Sequence, residues 1–184
     1  MIRLFDLFFA FFALVFLFPL IIILYLLIFI ENKSPFFHQV RVGRNLKEFT
    51  LIKFRTMKID TESCATHLVD STKITKLGRI LRKTKLDEIP QLFNVLKGEM
   101  SFVGPRPCLP NQIHLIETRK KYNLYRYVPG ITGLSQIKGI DMSKPVLLSK
   151  TDDKMMRNFS FLKYFYYILL TLLGRGFGDR VRKL

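Results

Sequence analysis

Residues 85–107 read KLDEIPQLFNVLKGEMSFVGPRP, an amphipathic segment followed by a proline-rich turn. The apolar residues of its first half recur at helical spacing and predict one buried helix face. Asp87 is predicted to be the N-cap of this helix, and Gly98 is predicted to end it. Pro90 then falls in the first turn, where an intrahelical N–H is not needed. The adjacent carboxylates of Asp87 and Glu88 are therefore expected at the positive end of a helix dipole.

Two interpretations fit this acidic pair. A capping aspartate alone contributes about 0.5–2 kcal/mol to helix stability and requires no chemistry. The surroundings favour a reactive site, because six Lys and Arg residues and no acid occur in residues 73–85. Downstream, Arg106 is fixed between two prolines. An acidic pair in so basic a neighbourhood indicates a site for anions, in which the acids react or hold a metal.

The composition indicates an acidic partner. The chain has 30 Lys and Arg residues against 14 Asp and Glu residues, a formal net charge of +16. Such a balance is typical of proteins that bind nucleic acid, anionic lipid or phosphorylated substrates. There is no tryptophan, and many of the 18 phenylalanines lie in apolar segments, which weakens a base-stacking interpretation. Cys64 and Cys108 stand alone, so neither a disulfide scaffold nor a zinc site is predicted.

The N-terminal segment is predicted to enter a membrane. Residues 4–30 are almost entirely apolar, with Asp6 as the only charge. The run exceeds the roughly 20 residues that a helix needs to cross a hydrocarbon core, and no small-residue cleavage site follows it. Pro19, near the middle, predicts a kink. The residues alone leave two forms open: a spanning helix, or a re-entrant helix whose ends both emerge on one face.

The rest of the chain is predicted to mix strands and helices. Residues 36–42 and 47–57 are expected to form a β-hairpin around a turn at 43–45. Lys53 and Arg55 share one face of its second strand. The further expectations, in chain order, are a loop over 58–71, a basic helix over 72–84, a helix over 110–122, a turn-rich loop over 128–136, an apolar helix over 159–173 and a loose basic tail over 174–184.

Two of these segments carry alternatives. The basic helix suits an anionic membrane surface, or it presents a solvated charged face. The apolar helix is short for a membrane span, so it is expected either against the core or in the membrane interface.

The acidic pair also limits the chemistry. Adjacent carboxylates do not suit a glycosidase, whose acids flank the scissile bond about 5 Å or more apart. A divided role fits better, in which one acid attacks and the other holds a cation. Magnesium, nearby Lys or Arg side chains and a helix N-terminus each reduce the repulsion between a carboxylate and a phosphate. The residues therefore predict phosphoryl-type transfer at a membrane face.

The chain resembles the bacterial sugar transferase family, the small monotopic phosphoglycosyl transferases. The resemblance covers nearly the whole chain and is strongest in residues 86–107. It is also carried by the apolar run broken by Pro19 and by three short motifs: SPFFHQ at 34–39, KFRTM at 53–57 and PGITGL at 129–134. Each motif alone is weak evidence for the family, but all of them together, in this order, are a specific signal.

The resemblance implies a membrane-anchored, monotopic α+β protein. Residues 1–31 would form a re-entrant helix that enters and leaves on the cytoplasmic face of the bacterial inner membrane. Residues 32–184 would form a cytoplasmic catalytic domain with interfacial helices. A homodimer is kept open as the assembly, and no nucleic acid partner is expected.

The resemblance also implies a two-step reaction that begins the assembly of a surface glycan. The residue matching Asp87 attacks the β-phosphate of a UDP-sugar, forms an aspartyl sugar-phosphate and releases UMP. A polyprenyl phosphate such as undecaprenyl phosphate then takes the sugar-phosphate. The residue matching Glu88 binds Mg2+. Lys53, Arg82 and Arg106 match basic positions that the family places around the phosphates. Arg55, on the strand face of Lys53, is also expected to bind phosphate.

Several positions depart from the family pattern. Phe18-Pro19 stands where Ser-Pro is common at the helix break, and Lys138-Gly139-Ile140 replaces an expected Asn-Gly-Arg. Pro145 stands where a Trp is often found. These changes leave the identity of the sugar open. The rival interpretation from another class is a non-catalytic, membrane-anchored basic protein that binds anionic lipid or nucleic acid.

Overall fold

A computed structural model describes residues 2–59, 61 and 71–175 of the 184-residue chain. Within these residues the protein mixes helices and strands, which confirms the predicted α+β class. The elements are α1 (Ile2–Asn32), β1 (Phe36–Val42), β2 (Glu48–Phe54), α2 (Lys76–Thr84), α3 (Gln91–Lys97), β3 (Ser101–Val103), α4 (Ile113–Lys121), β4 (Gly130–Thr132), α5 (Leu134–Ile137), α6 (Pro145–Arg157) and α7 (Phe161–Leu172).

Both ends of the long helix α1 contact the same globular body. Near its start, the Arg3 guanidinium donates to the carbonyls of Val95 and Leu96 at 2.5 and 2.9 Å. These carbonyls lie at the end of α3, where a cation is favoured by the helix dipole. At the other end of α1, the Asn32 amide donates to the Met57 carbonyl at 3.2 Å. The helix therefore begins and ends against the body that carries the rest of the described chain.

The middle of α1 is exposed on one side, while Leu14, Leu17 and Leu20 on the other side are partly buried against the core. This helix is long and apolar enough to cross a membrane, by length and composition. Pro19 lies inside it, and the exposed fraction of the neighbouring Phe16 side chain reaches 84%. Near its two ends, by contrast, α1 buries Ala10, Leu24 and Ile28 in the core. The other buried members of this core cluster are Phe49, Leu51, Phe54, Leu81, Ile89, Leu92, Val95 and Met100.

The predicted β-hairpin is confirmed. β1 and β2 pair antiparallel, with Phe36 opposite Phe54. A buried side chain of α3 fixes that helix against the second strand: the Asn94 amide oxygen accepts from the Ile52 N–H at 3.1 Å, and its amide nitrogen donates to the Thr50 carbonyl at 2.8 Å. Because Asn94 satisfies one donor and one acceptor of the β2 backbone, α3 is held in a fixed position beside β2.

The prediction that Asp87 caps the central helix is wrong. Helix α2 ends at Thr84; the next residue, Lys85, has a left-handed backbone (φ 60°), and a 3-10 turn over Leu86–Glu88 follows at once. Asp87 therefore lies within a turn of helix, and α3 begins only at Gln91, immediately after Pro90. A left-handed residue reverses the chain, so the two helices cannot form one continuous element. Gly98 ends α3 as predicted, with φ 87°.

Helix boundaries elsewhere shift by a few residues. α2 begins at Lys76 rather than at 72, because the Thr75 hydroxyl caps it by accepting from the Gly78 N–H at 2.9 Å. The helix expected over 110–122 is α4, and the one expected over 159–173 is α7. The predicted loop over 58–71 lies mostly outside the described residues, as does the tail from residue 176 onward.

A short parallel pair, β3 and β4, brings two distant turns together. Ser101 pairs with Gly130, and Val103 pairs with Thr132. The expected turn-rich loop over 128–136 thus contains a strand and the short helix α5. A Cβ on Gly130 would lie 2.0 Å from the backbone nitrogen of Gly104, so only glycine allows this approach. The pairing places the turn at 104–107 directly beside this loop.

Candidate active site

Glu88 is the centre of a partly buried charge cluster. Its Oε1 atom lies 3.1 Å from the Lys53 Nζ atom and 3.2 Å from the Arg106 Nη2 atom. β2 supplies the lysine, the 3-10 turn after α2 supplies the carboxylate, and the proline-flanked turn after β3 supplies the arginine. Three segments far apart in sequence therefore converge, as the predicted site requires.

Asp87 neighbours this cluster on the same 3-10 turn, and only 6% of the residue is exposed. In a 3-10 helix, consecutive side chains diverge by roughly a third of a turn. Asp87 and Glu88 therefore face different surroundings although they are adjacent. This geometry supports different roles for the two acids.

The other predicted basic residues are placed differently. The Arg82 Nε atom donates to the Thr56 hydroxyl at 2.8 Å. Its Nη1 atom is buried without a hydrogen-bond partner among the residues that the structure describes. A buried guanidinium N–H without an acceptor is costly, so a phosphate oxygen supplied there would be strongly favoured.

Arg55 has other neighbours. Its guanidinium donates to the carbonyls of Ser34 and Phe36 at 3.1 and 3.2 Å and lies 5.6 Å from the centre of the Phe37 ring. These contacts tie β2 to the segment that leaves α1, so Arg55 has a clear structural task. Its predicted part in phosphate binding stays a prediction.

Lys85 adds a further cation next to the acids. Burial lowers the pKa of its ammonium, the nearby Arg106 charge lowers it further, and Glu88 opposes both effects. Its Nζ atom also donates to the Arg175 carbonyl at 3.0 Å. The acidic pair is thus flanked by a lysine that loses its proton more easily than a solvated one.

Sequence reasoning missed two residues of the cleft beside this cluster. Arg41 and Gln91 line it together with Lys53 and Arg106. Arg41 is buried, and its guanidinium donates to the Pro107 carbonyl at 3.0 Å. No local signal could have found Arg41: Gln39 and Arg41 alternate with valines in β1, a pattern that ordinarily indicates a solvated strand face, whereas both side chains are buried here.

The acid pair suits a metal site that the substrate completes. Over the described ranges, no three Asp, Glu, His or Cys side chains converge on one point. Mg2+ is commonly held by one or two carboxylates together with substrate phosphates and water, rather than by a full protein cage. Glu88, a carboxylate between two potential phosphate-binding cations, provides an oxygen ligand of the preferred kind.

Comparison with known proteins identifies the family. The sequence model of the family described as bacterial sugar transferase matches residues 1–175. EpsL of Bacillus subtilis (strain 168), an uncharacterized sugar transferase, is 46% identical over 138 residues, which are 74% of this chain and 68% of that protein. The exopolysaccharide production protein ExoY of Sinorhizobium fredii (strain NBRC 101917 / NGR234) is 33% identical over an alignment of 196 positions, which covers 95% of this chain and 86% of that protein.

A third relative has a name that states its substrates. The UDP-N-acetylgalactosamine-undecaprenyl-phosphate N-acetylgalactosaminephosphotransferase of Aeromonas hydrophila is 31% identical over 172 residues. The alignment covers 88% of this chain but only 41% of that protein. The match of the family model over nearly the whole chain confirms the resemblance found in the motifs. The chain belongs to the bacterial sugar transferase family.

Proposed function

We propose that this protein transfers a sugar-1-phosphate from a UDP-sugar to a polyprenyl phosphate through a covalent intermediate on Asp87. The observation that carries the proposal is the convergence of Lys53 and Arg106 on Glu88, directly beside the buried Asp87. Such an arrangement provides a nucleophile and the positive charge that a phosphate needs. The name of the Aeromonas relative supports a UDP-linked donor and an undecaprenyl phosphate acceptor.

In the first step, a carboxylate oxygen of Asp87 forms a bond to the β-phosphorus of the donor. The bond from that phosphorus to the oxygen bridging the two phosphates breaks, and UMP leaves with the electron pair. In the second step, a phosphate oxygen of the polyprenyl phosphate attacks the same phosphorus. The bond to Asp87 breaks, the carboxylate is regenerated, and the product is a polyprenyl-diphosphate-sugar.

The cations around the acids have separate tasks in this reaction. Lys53 and Arg106, held by Glu88, neutralise the phosphate that receives the attack. Arg82 offers a phosphate oxygen its Nη1 atom, which has no hydrogen-bond partner within the described part of the chain. Glu88 would hold a Mg2+ ion together with the donor phosphates, and the bound ion would lower the charge repulsion between nucleophile and substrate. The UDP-sugar that reacts in a panel of donors identifies the transferred sugar.

The direct test uses purified, detergent-solubilised protein with Mg2+ and a panel of UDP-sugars, without any lipid acceptor. We expect mass spectrometry to find a sugar-phosphate adduct on Asp87, with one UMP released per adduct. Adding undecaprenyl phosphate should then remove the adduct. Folded protein that gives neither adduct nor UMP with any donor, and no lipid product when acceptor is added, would contradict the proposal and favour the binding-protein alternative.

We further propose that α1 is re-entrant in the bacterial inner membrane, with the catalytic body on the cytoplasmic face. Two observations support this: both ends of α1 contact one body, and one side of its apolar middle around Pro19 is exposed. A helix that crossed the membrane would place its ends on opposite sides of the bilayer, about 30 Å of hydrocarbon apart.

Cysteine labelling tests this placement. Cysteine reporters at Leu4→Cys and Lys33→Cys lie at the two ends of α1, both exposed. Cys64→Ser removes the natural cysteine at 64, and the remaining Cys108 is buried in the folded protein. We expect a membrane-impermeant thiol reagent to label both reporters from the cytoplasmic side and neither from the outside. Outside labelling of Leu4→Cys, with Lys33→Cys still cytoplasmic, would establish a spanning helix instead.

A further inference from the structure

The turn that carries Arg106 is tethered through all three of its carbonyls. Pro105 and Pro107 have no backbone N–H to donate, so the turn depends on donors that come to it. The Pro105 carbonyl accepts from the Gly130 N–H at 3.0 Å, and the Pro107 carbonyl accepts from Arg41 at 3.0 Å. The Arg106 carbonyl accepts from the Arg119 Nη1 atom at 2.7 Å. Arg119 therefore holds the peptide of the residue that contacts Glu88.

Arg119 is itself held by a buried carboxylate. Its Nη2 atom lies 3.1 Å from the Asp152 Oδ2 atom, and the exposed fractions are 2% for Arg119 and 0% for Asp152. The other Asp152 oxygen accepts from the Ser135 hydroxyl. Ser135 lies in the first turn of the short helix α5, which follows β4, and the Gly130 N–H of β4 donates to Pro105. The two tethers thus close into one connected network.

Stability alone does not account for this pair. Burying two charges carries a desolvation penalty, and well-packed apolar residues are often as stable or more so. The burial of Asp152 pushes the pKa of its carboxyl up, while Arg119 acts in the opposite direction. Because Arg119 binds the backbone carbonyl of Arg106, this ion pair fixes the position of the Arg106 backbone.

We propose that Arg119 and Asp152 are positioning residues that fix the Arg106 guanidinium for the phosphates of the UDP-sugar. They act through the Arg106 carbonyl and do not contact substrate themselves. This inference rests on the proposed function. A displacement of about 1 Å at a substrate-positioning group can cost roughly 100-fold in rate, so loss of this tether is expected to be visible in turnover.

The test is a double-mutant cycle between the pair and Arg106. In the otherwise native enzyme, Arg106→Ala is expected to lower kcat/KM for the donor by roughly 100-fold or more. In an Arg119→Met/Asp152→Leu background, which replaces the pair by apolar side chains, the same Arg106→Ala change should cost less than about 10-fold, because residues that act as a unit are not additive. Arg119→Lys keeps the charge pair but shortens the donor, and it should lower kcat/KM by roughly 10- to 100-fold.

A neighbouring ion pair provides the matched control. Asp153 and Arg157 form an ion pair at 2.8 Å on the same helix, in which Arg157 is exposed and Asp153 is half-buried. Asp153→Asn should change neither kcat/KM nor the cost of Arg106→Ala. Protection of the buried Cys108 thiol, measured in a Cys64→Ser background, identifies variants that have not folded.

Two results would overturn the inference, and they are distinguishable. If the enzyme turns over and the losses from Arg106→Ala are equal in both backgrounds, Arg119 and Asp152 have no positioning role. If the folded native protein releases no UMP with any donor, the proposed function fails and this inference fails with it.

Discussion

An Asp87→Asn variant is expected to lose at least about 1,000-fold in sugar-phosphate transfer while keeping its fold, because loss of a covalent nucleophile removes the reaction path itself. The change is nearly isosteric, and the residue sits in a turn where only 6% of it is exposed. A carboxamide is not a useful nucleophile at phosphorus. The measurement is UMP release, together with mass spectrometry for an adduct on the peptide that contains residue 87.

Glu88→Gln is the matched comparison, because it makes the same chemical change one residue away. Glu88 accepts from Lys53 and Arg106, so its neutralisation should weaken the arrangement of cations and slow the reaction. The adduct should nevertheless still form on Asp87. A variant Asp87→Asn that kept more than about a tenth of the activity would exclude Asp87 as the nucleophile. The binding-protein alternative predicts that Asp87→Asn binds anions as well as the native protein or better, and that neither the native protein nor Asp87→Asn turns over substrate.

Much of this site follows from the sequence because its chemistry is local. The acidic pair, the basic residues before it and the arginine between two prolines are each visible in a short window. The hairpin follows from two apolar segments around a turn, and it places Lys53 on an inner face. The family motifs then connect these pieces into one site, although Lys53 and Glu88 are 35 residues apart.

The rest depends on contacts that no short window contains. The left-handed backbone of Lys85 separates two helices, and a lysine in the sequence does not predict that conformation. The parallel pairing of β3 and β4 involves strands of three residues each, too short for a periodic signal. Asp152 lies in α6, where it resembles any charged residue of a helix, and only tertiary packing buries it beside Arg119.

Asp6 is a further residue whose contacts cannot be predicted from a short window. A charge within an apolar segment is unusual, but the sequence does not indicate which residues bind it. It is the only charge in residues 4–30, and it is 3% exposed. Its Oδ1 atom accepts from the Ser101 hydroxyl at 3.0 Å, the Phe102 N–H at 3.1 Å and the Tyr164 hydroxyl at 2.8 Å. One carboxylate oxygen thereby joins the start of α1 to β3 and α7.

An Asp6→Leu variant is expected to lose about 3 kcal/mol or more of stability, since each buried donor left without an acceptor costs about 1–3 kcal/mol. Burial and the Asp6 bond raise the pKa of Tyr164, so its hydroxyl should titrate closer to the ordinary value once Asp6 is gone. We would follow thermal exposure of the Cys108 thiol in a Cys64→Ser background, and hydrogen exchange of the α7 peptides. Exchange in α7 should rise before global unfolding, because the lost contacts are local.

Two further variants test which property of Asp6 stabilises the protein. One removes its charge and keeps a hydrogen-bond acceptor, and the other measures the effect of an unrelated substitution nearby. Asp6→Asn keeps an oxygen that can accept the three bonds, so it should lose much less stability than Asp6→Leu. Leu4→Ala changes an exposed side chain within the same turn of α1 and should have little effect. Equal stability losses in Asp6→Leu and Leu4→Ala would show that the three hydrogen bonds contribute nothing to docking.

The same variant connects stability to membrane placement. Asp6 fastens the start of α1 to the body that also contacts Asn32 at its end, so it opposes any arrangement in which the two ends separate. Asp6→Leu removes this connection and makes the apolar run continuous, which lowers the cost of a spanning form. Combined with Leu4→Cys, it is expected to give a fraction of molecules labelled from the outside. Labelling that stays wholly cytoplasmic would mean that Pro19 and the buried residues of α1 suffice to return the chain.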